Sequence, residues 1–157
     1  MQRPEIKTMA NLESAFAGES MAHIKYRYFA KIARAAGDEE TARVFEETAN
    51  QEVQHALGHL DLLYPKETLT PAKCLEMAIA GETYEYTEMY PGFLKTARDE
   101  GHASAVSEIK GQIDESKEHA AQFKATLEKA AKRFAALAKV EERHAKQYQA
   151  VLANVLA

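Results

Sequence analysis

The chain has 157 residues, a net charge of −4 and a single cysteine, Cys74. That length suffices for one domain with a substantial core. The lone cysteine excludes an internal disulfide and any four-cysteine metal module and fits a reducing cytoplasm, so metal chemistry would fall to Glu, Asp and His. Basic residues spread along the chain leave no electrostatic footprint for nucleic acid. The start MQRPEIKTMANLESAF has no leader-like pattern, and no apolar run approaches the roughly 18 residues of a membrane span, so we expect a soluble, cytoplasmic protein.

Only seven Gly and four Pro punctuate the sequence, and β-branched alternation is absent, which predicts an all-α fold. Helix A runs from about Thr8 to Ala36, with Leu12, Ala15, Phe16, Ile24, Tyr28 and Phe29 at helical intervals. In AAGDEE, Gly37 suits a left-handed C-terminal position and Asp38 the next N-cap. Helix B follows and closes before Pro65. Thr70 as N-cap with Pro71 behind it opens helix C. From about Ser116 to Ala157 there is no Gly or Pro at all. Two echoes stand out: FAGES at 16–20 against IAGET at 79–83, and SKEHAAQF at 116–123 against EERHAKQY at 141–148.

Helix C carries Glu82, Glu85 and Glu88 at intervals of three, three like charges along roughly one face. Glu-x-x-His occurs at Glu52/His55 and at Glu141/His144, placing a carboxylate and an imidazole on one side of a helix. Singly, such residues are usually solvated. Together with Glu19 and the Glu85/Glu88 pair they put acidic groups on four helices, which is the established ligand pattern of ferritin-like di-iron bundles. Carboxylates facing into a bundle need a cation, because desolvation costs several kcal/mol per ion. Glu19, Glu52, Glu85 and Glu141 would balance two ferrous ions, His55 and His144 would complete coordination, and Glu88 would serve the more highly charged ferric pair. Glu82 reads as solvent-facing or as a support for the ligands.

Antiparallel pairing of Glu19 with Glu52 requires a turn midway between them, where Ala35-Ala36-Gly37-Asp38 lies. Pairing Glu88 with Glu141 requires one beside GQIDES, with Gly111 stopping one helix and Asp114 or Ser116 capping the next, and makes C and D longer than A and B by about ten residues each, roughly 15 Å. A rival register turns at Gly101-His102. It faces Glu88 with the neighbourhood of Ser116, makes His119 the site imidazole and puts a serine where a carboxylate is expected.

At AFAGES with KYRYF, ETANQEVQHA, GETYEYTEMYP and KVEERHAKQY the sequence resembles the rubrerythrin family. The likeness spans most of the chain, with residues near 102–128 as an apparent insertion. The resemblance implies a ferritin-like four-helix bundle with a non-haem di-iron centre that reduces hydrogen peroxide in oxidative-stress defence. Carried over, Glu19, Glu52, His55, Glu85, Glu88, Glu141 and His144 take ligand places and Tyr26 that of a supporting tyrosine. The resemblance also implies that one iron exchanges Glu88 for His55 on reduction. Full-length members carry a four-cysteine rubredoxin-like domain; with Cys74 alone, this chain would need an external donor such as rubredoxin. Two other readings are a ferroxidase that handles iron as ferritins do and a metal-free helical interaction module.

The implied arrangement runs B and C parallel, so the link between them must cover roughly 33 Å, about 12 Å of B and ~21 Å of C beyond the site. Leu63 to Pro71 reaches only about 27 Å when fully extended. The expectation is a domain-swapped homodimer, with helix pair A/B (about 8–63) of one copy completing a bundle with pair C/D (about 71–157) of the other.

Overall fold

A computed structural model describes residues 7–156. Its elements are α1 (Thr8–Ala35), α2 (Glu39–Leu63), a 3₁₀ turn (Lys66–Thr68), α3 (Pro71–Tyr84), a π turn (Glu85–Met89), α4 (Tyr90–Asp99) and α5 (Ala103–Leu156). No strand occurs among the described residues. The chain divides into two compact units, residues 1–69 and 70–157.

Unit 1 is the hairpin α1–α2. Gly37 takes φ +80°, and the amides of Gly37 and Asp38 bond back to the carbonyls of Arg34 and Ala33 at 3.0 Å each, closing a Schellman motif. The Asp38 carboxylate then accepts from the Thr41 amide at 3.0 Å and caps α2. Arg34 ties the turn to α2 by bonding Glu39 and, with two nitrogens at 2.8 and 3.1 Å, Glu46. Ala30, Ala42, Ala49 and Ala56 are buried, so the helices approach closely along a seam of small side chains. Tyr26, Phe29 and Phe45 pack as an aromatic group, with centroids 5.5–6.4 Å apart.

Unit 2 packs α3, the π turn and α4 against α5. The Thr70 hydroxyl accepts from the Lys73 amide at 3.1 Å, as the Thr-Pro start predicts. The C-to-D turn lies at Gly101 and not beside GQIDES: Gly101 takes φ +74°, and the amides of Gly101 and His102 reach Arg98 and Ala97 in a second Schellman motif. This corrects the expected register. Gly111 and Asp114 lie inside α5, which runs unbroken for 54 residues, about 81 Å. Only the D partner is extended, for α4 ends at Asp99.

The break in helix C has a local cause. Pro91 offers no amide, and in a regular helix its ring would press on the Thr87 carbonyl four residues back. The chain widens by one residue, and the Tyr90 amide bonds to Glu85 five residues back. The hydroxyls of Thr83 and Thr87, bonding back to Ile79 and Thr83 at 2.6 Å, favour the same bend.

The two units match position by position. α1 begins at Thr8 and α3 at Pro71; Ser20 and Thr83 both donate to the carbonyl four residues back. The offset up to the π turn is sixty-three residues and afterwards sixty-four. Beyond it Tyr26/Phe29 answers to Tyr90/Phe93, with centroids 6.4 and 6.3 Å apart, Gly37 to Gly101, and buried Ala56 to buried Ala120. The π turn is the one residue by which α3–α4 exceeds α1. Leu63, the end of α2, corresponds to Leu127, so residues 128–156 of α5 have no counterpart in unit 1.

Candidate metal centre

In unit 1, Glu19 on α1 meets Glu52 and His55 on α2. Each offers a ligand atom, and these atoms lie within 4.8 Å of one another. His55 Nδ1 is 2.9 Å from Glu52 Oε2 and 4.0 Å from Glu19 Oε1. The Glu52 side chain is 15% exposed and that of His55 60%, so the carboxylate is the more enclosed of the two. A hydrogen bond between the two carboxyls, then burial, then the Glu52 charge push Glu19 above the ordinary carboxylate range. The same bond and His55 push Glu52 below it. The two shifts run in opposite directions, as expected of two carboxyls held side by side.

Unit 2 carries related residues at the equivalent positions, with one exchange. His119 corresponds to His55, and its Nδ1 lies 3.5 Å from Oε1 of Glu82, the counterpart of Glu19. Ser116 stands where Glu52 stands. It is 4% exposed and donates from Oγ to Glu85 Oε2 at 3.0 Å. Glu85 in turn occupies the place that Ala22 holds in α1. The second carboxylate has thus moved from the second helix to the first, and each unit presents two carboxylates and one imidazole. Oε2 of Glu82 is enclosed and has no hydrogen-bond partner, which suits a metal ligand better than a support residue. Burial raises the Tyr90 phenol, and the charges of Glu85 and Glu82 raise it further.

The remaining expected site residues are not in either cluster. Glu88 is exposed on the π turn, which rotates it away from Glu82 and Glu85. Glu141 and His144 face each other at 3.8 Å and are both exposed, twenty-five residues beyond Ser116, about 37 Å along α5. Because the turn is at Gly101, the structure joins the rival pair Ser116/His119 to helix C and leaves Glu141/His144 beyond it. Tyr26 packs with Phe29 and Phe45. The signal for Glu82 was in the sequence: FAGES and IAGET put Glu19 and Glu82 at the same place.

Paired helices carrying inward Glu and His side chains at these intervals define an all-α protein of the ferritin-like class. The chain belongs to the rubrerythrin family, whose model matches residues 10–127. Residues 102–127 are thus part of the family-matched region and not an insertion, and the match ends where the internal repeat ends. The rubrerythrin of Porphyromonas gingivalis is 36% identical over 160 residues, covering 95% of this chain and 68% of that protein. The nigerythrin of Nitratidesulfovibrio vulgaris is 39% identical over 111 residues, 63% of this chain and 55% of that one. Rubrerythrin-1 of Clostridium acetobutylicum is 32% identical over 164 residues, 95% of this chain and 71% of that one. This chain therefore spans between 55% and 71% of the length of these three relatives. The structure of nigerythrin in its fully reduced, all-ferrous state is 33% identical, with a TM-score of 0.40, covering 83% of this chain and 70% of that one. No described helix is long and apolar enough to cross a membrane.

Proposed function

We propose that the protein is a non-haem di-iron peroxidase that reduces hydrogen peroxide to water. The observation that supports it most is the cluster of Glu19, Glu52 and His55 in unit 1; the equivalent helices of unit 2 supply Glu82 beside His119 at 3.5 Å and Glu85 on Ser116. Four carboxylates balance the charge of two ferrous ions, and two imidazoles complete a ligand set of oxygen and nitrogen without cysteine. When bound, such a pair supplies one electron from each ion to the O–O bond, so one peroxide with two protons and two electrons gives two waters.

The chain's own groups handle the protons and the exchange. Glu19 and Glu52 face each other from the two helices beside the reacting position. Tyr90, raised by burial and by Glu85 and Glu82, keeps its O–H across the physiological range. His55, the most exposed of its cluster, is the ligand free to come and go. The electrons that restore the pair come, on this reading, from a donor of the rubredoxin kind.

Assembly as a domain-swapped homodimer is part of this proposal, with unit 1 of one copy completing the centre with unit 2 of the other. The link supports it: α2 ends at Leu63, α3 begins at Pro71, and three residues between them are wound in a 3₁₀ turn that advances only ~2 Å per residue. Sedimentation of the iron-loaded protein at micromolar concentration tests the assembly, and a monomer holding two irons refutes it. For the chemistry, anaerobic diferrous protein is mixed with peroxide and, separately, with oxygen in a stopped-flow instrument. Faster oxidation by peroxide is expected. Faster oxidation by oxygen would favour the ferroxidase reading instead.

A further inference from the structure

The comparison of the two clusters leaves one side chain without a role in binding metal. Ser116 occupies the ligand place on α5 yet is a serine, and it is the one buried polar residue among those described. Its Oγ donates to Glu85 Oε2 at 3.0 Å. In unit 1 the carboxylate at that place, Glu52, projects from the second helix and needs no support to reach the cluster. Glu85 starts from the opposite helix, at the first residue of the π turn, and meets the Ser116 hydroxyl from there.

We propose that Ser116 is a positioning residue: it holds one oxygen of Glu85 so that the other points where Glu52 points in unit 1, and the pair Ser116/Glu85 does the work that Glu52 does alone. The inference rests on the metal-binding reading above. A hydroxyl serves this purpose better than a second carboxylate, because it donates to Glu85 and adds no like charge beside it. It also leaves the total at four carboxylates, matched to two divalent ions.

The test uses the metal-free 157-residue chain titrated with manganous ion, which needs no anaerobic handling, followed by calorimetry and by thermal unfolding before and after loading. Ser116→Ala is expected to weaken binding by about 10- to 100-fold, as loss of a hydrogen bond to a ligating carboxylate does. Ser116→Thr, which keeps the hydroxyl, should remain near wild type. The double variant Glu85→Ala/Ser116→Glu, which gives unit 2 the pattern of unit 1, should bind better than Glu85→Ala alone. Affinity of Ser116→Ala within about twofold of wild type, with only the metal-free melting temperature lowered, would show a purely structural serine and overturn the proposal. A double variant no better than Glu85→Ala would also count against it. Should wild type itself fail to bind manganous and ferrous ions, the metal reading fails, and that result is separate from any comparison among the Ser116 variants.

Discussion

The two units solve one electrostatic problem in different ways. In unit 1 two carboxyls approach each other, and their hydrogen bond raises Glu19 while it lowers Glu52. In unit 2 the second carboxylate rests against a serine hydroxyl, while the strain is concentrated in one enclosed oxygen of Glu82. Close like charges and a partnerless acceptor are both costly in a metal-free protein. A cost of this kind in both halves is what the proposed metal reading would relieve.

The largest effect that could break this comparison is loss of the metal. Glu52→Ala should abolish binding of the pair, seen as iron per chain by mass spectrometry and as a melting temperature that no longer rises when ferrous ion is added. Glu141→Ala should leave both unchanged; metal loss there would return the ligand role to the far end of α5. Next in size, Glu82→Ala should weaken metal affinity at least tenfold, on the order of a lost ligand or its support, whereas Glu88→Ala should not change it. Equal effects at the two positions would mean that the π turn does not separate them as described.

Smaller but of opposite sign are two glycine substitutions that test the register. Gly101→Ala forces a Cβ into a left-handed conformation, φ +74°, and should cost about 1–2 kcal/mol in chemical denaturation. Gly111→Ala places a methyl in open space inside α5 and should stabilise by up to about 1 kcal/mol. A turn at GQIDES would reverse those signs. The smallest effect concerns acid. Hydrogen bonds from Arg34 hold Glu46 below its usual 4.5. A depressed carboxylate contributes stability above its unfolded value and loses it as the pH falls through the folded one. Stability of wild type should therefore decline below about pH 4.5 more steeply than that of Glu46→Gln, measured by melting at intervals of pH.

Much of the molecule was legible beforehand because its signals are local. Gly37 and Asp38, Pro65, and Thr70 with Pro71 each dictate backbone conformation within a few residues, and the structure puts a turn or cap at each. Glu19, Glu52 and His55 follow from helical spacing plus one well-marked turn. Unit 2 was harder for a physical reason. An exposed helix can tolerate Gly111, so composition alone does not decide whether Gly101 or Gly111 ends helix C. Hydrogen bonding to Arg98 and Ala97 decides it for Gly101. For Glu82, Glu85 and Glu88, intervals of three share a face only while the helix remains regular, and the π turn ends that regularity at Glu85.

The π turn also governs how the two halves of this chain must be aligned. Laid side by side without a gap after Glu85, they pair Tyr26 with Met89, Phe29 with Gly92 and Gly37 with Glu100, and a left-handed turn is assigned to a residue that does not adopt one. A single-residue gap restores every correspondence, and it amounts to roughly 100° of helical rotation. Removing one residue from 85–89 in the protein itself would apply that rotation in reverse. Tyr90, which bonds Gln112 of α5, and buried Ala97 would turn away from α5 together, while Glu82 and its partner His119 stayed in place.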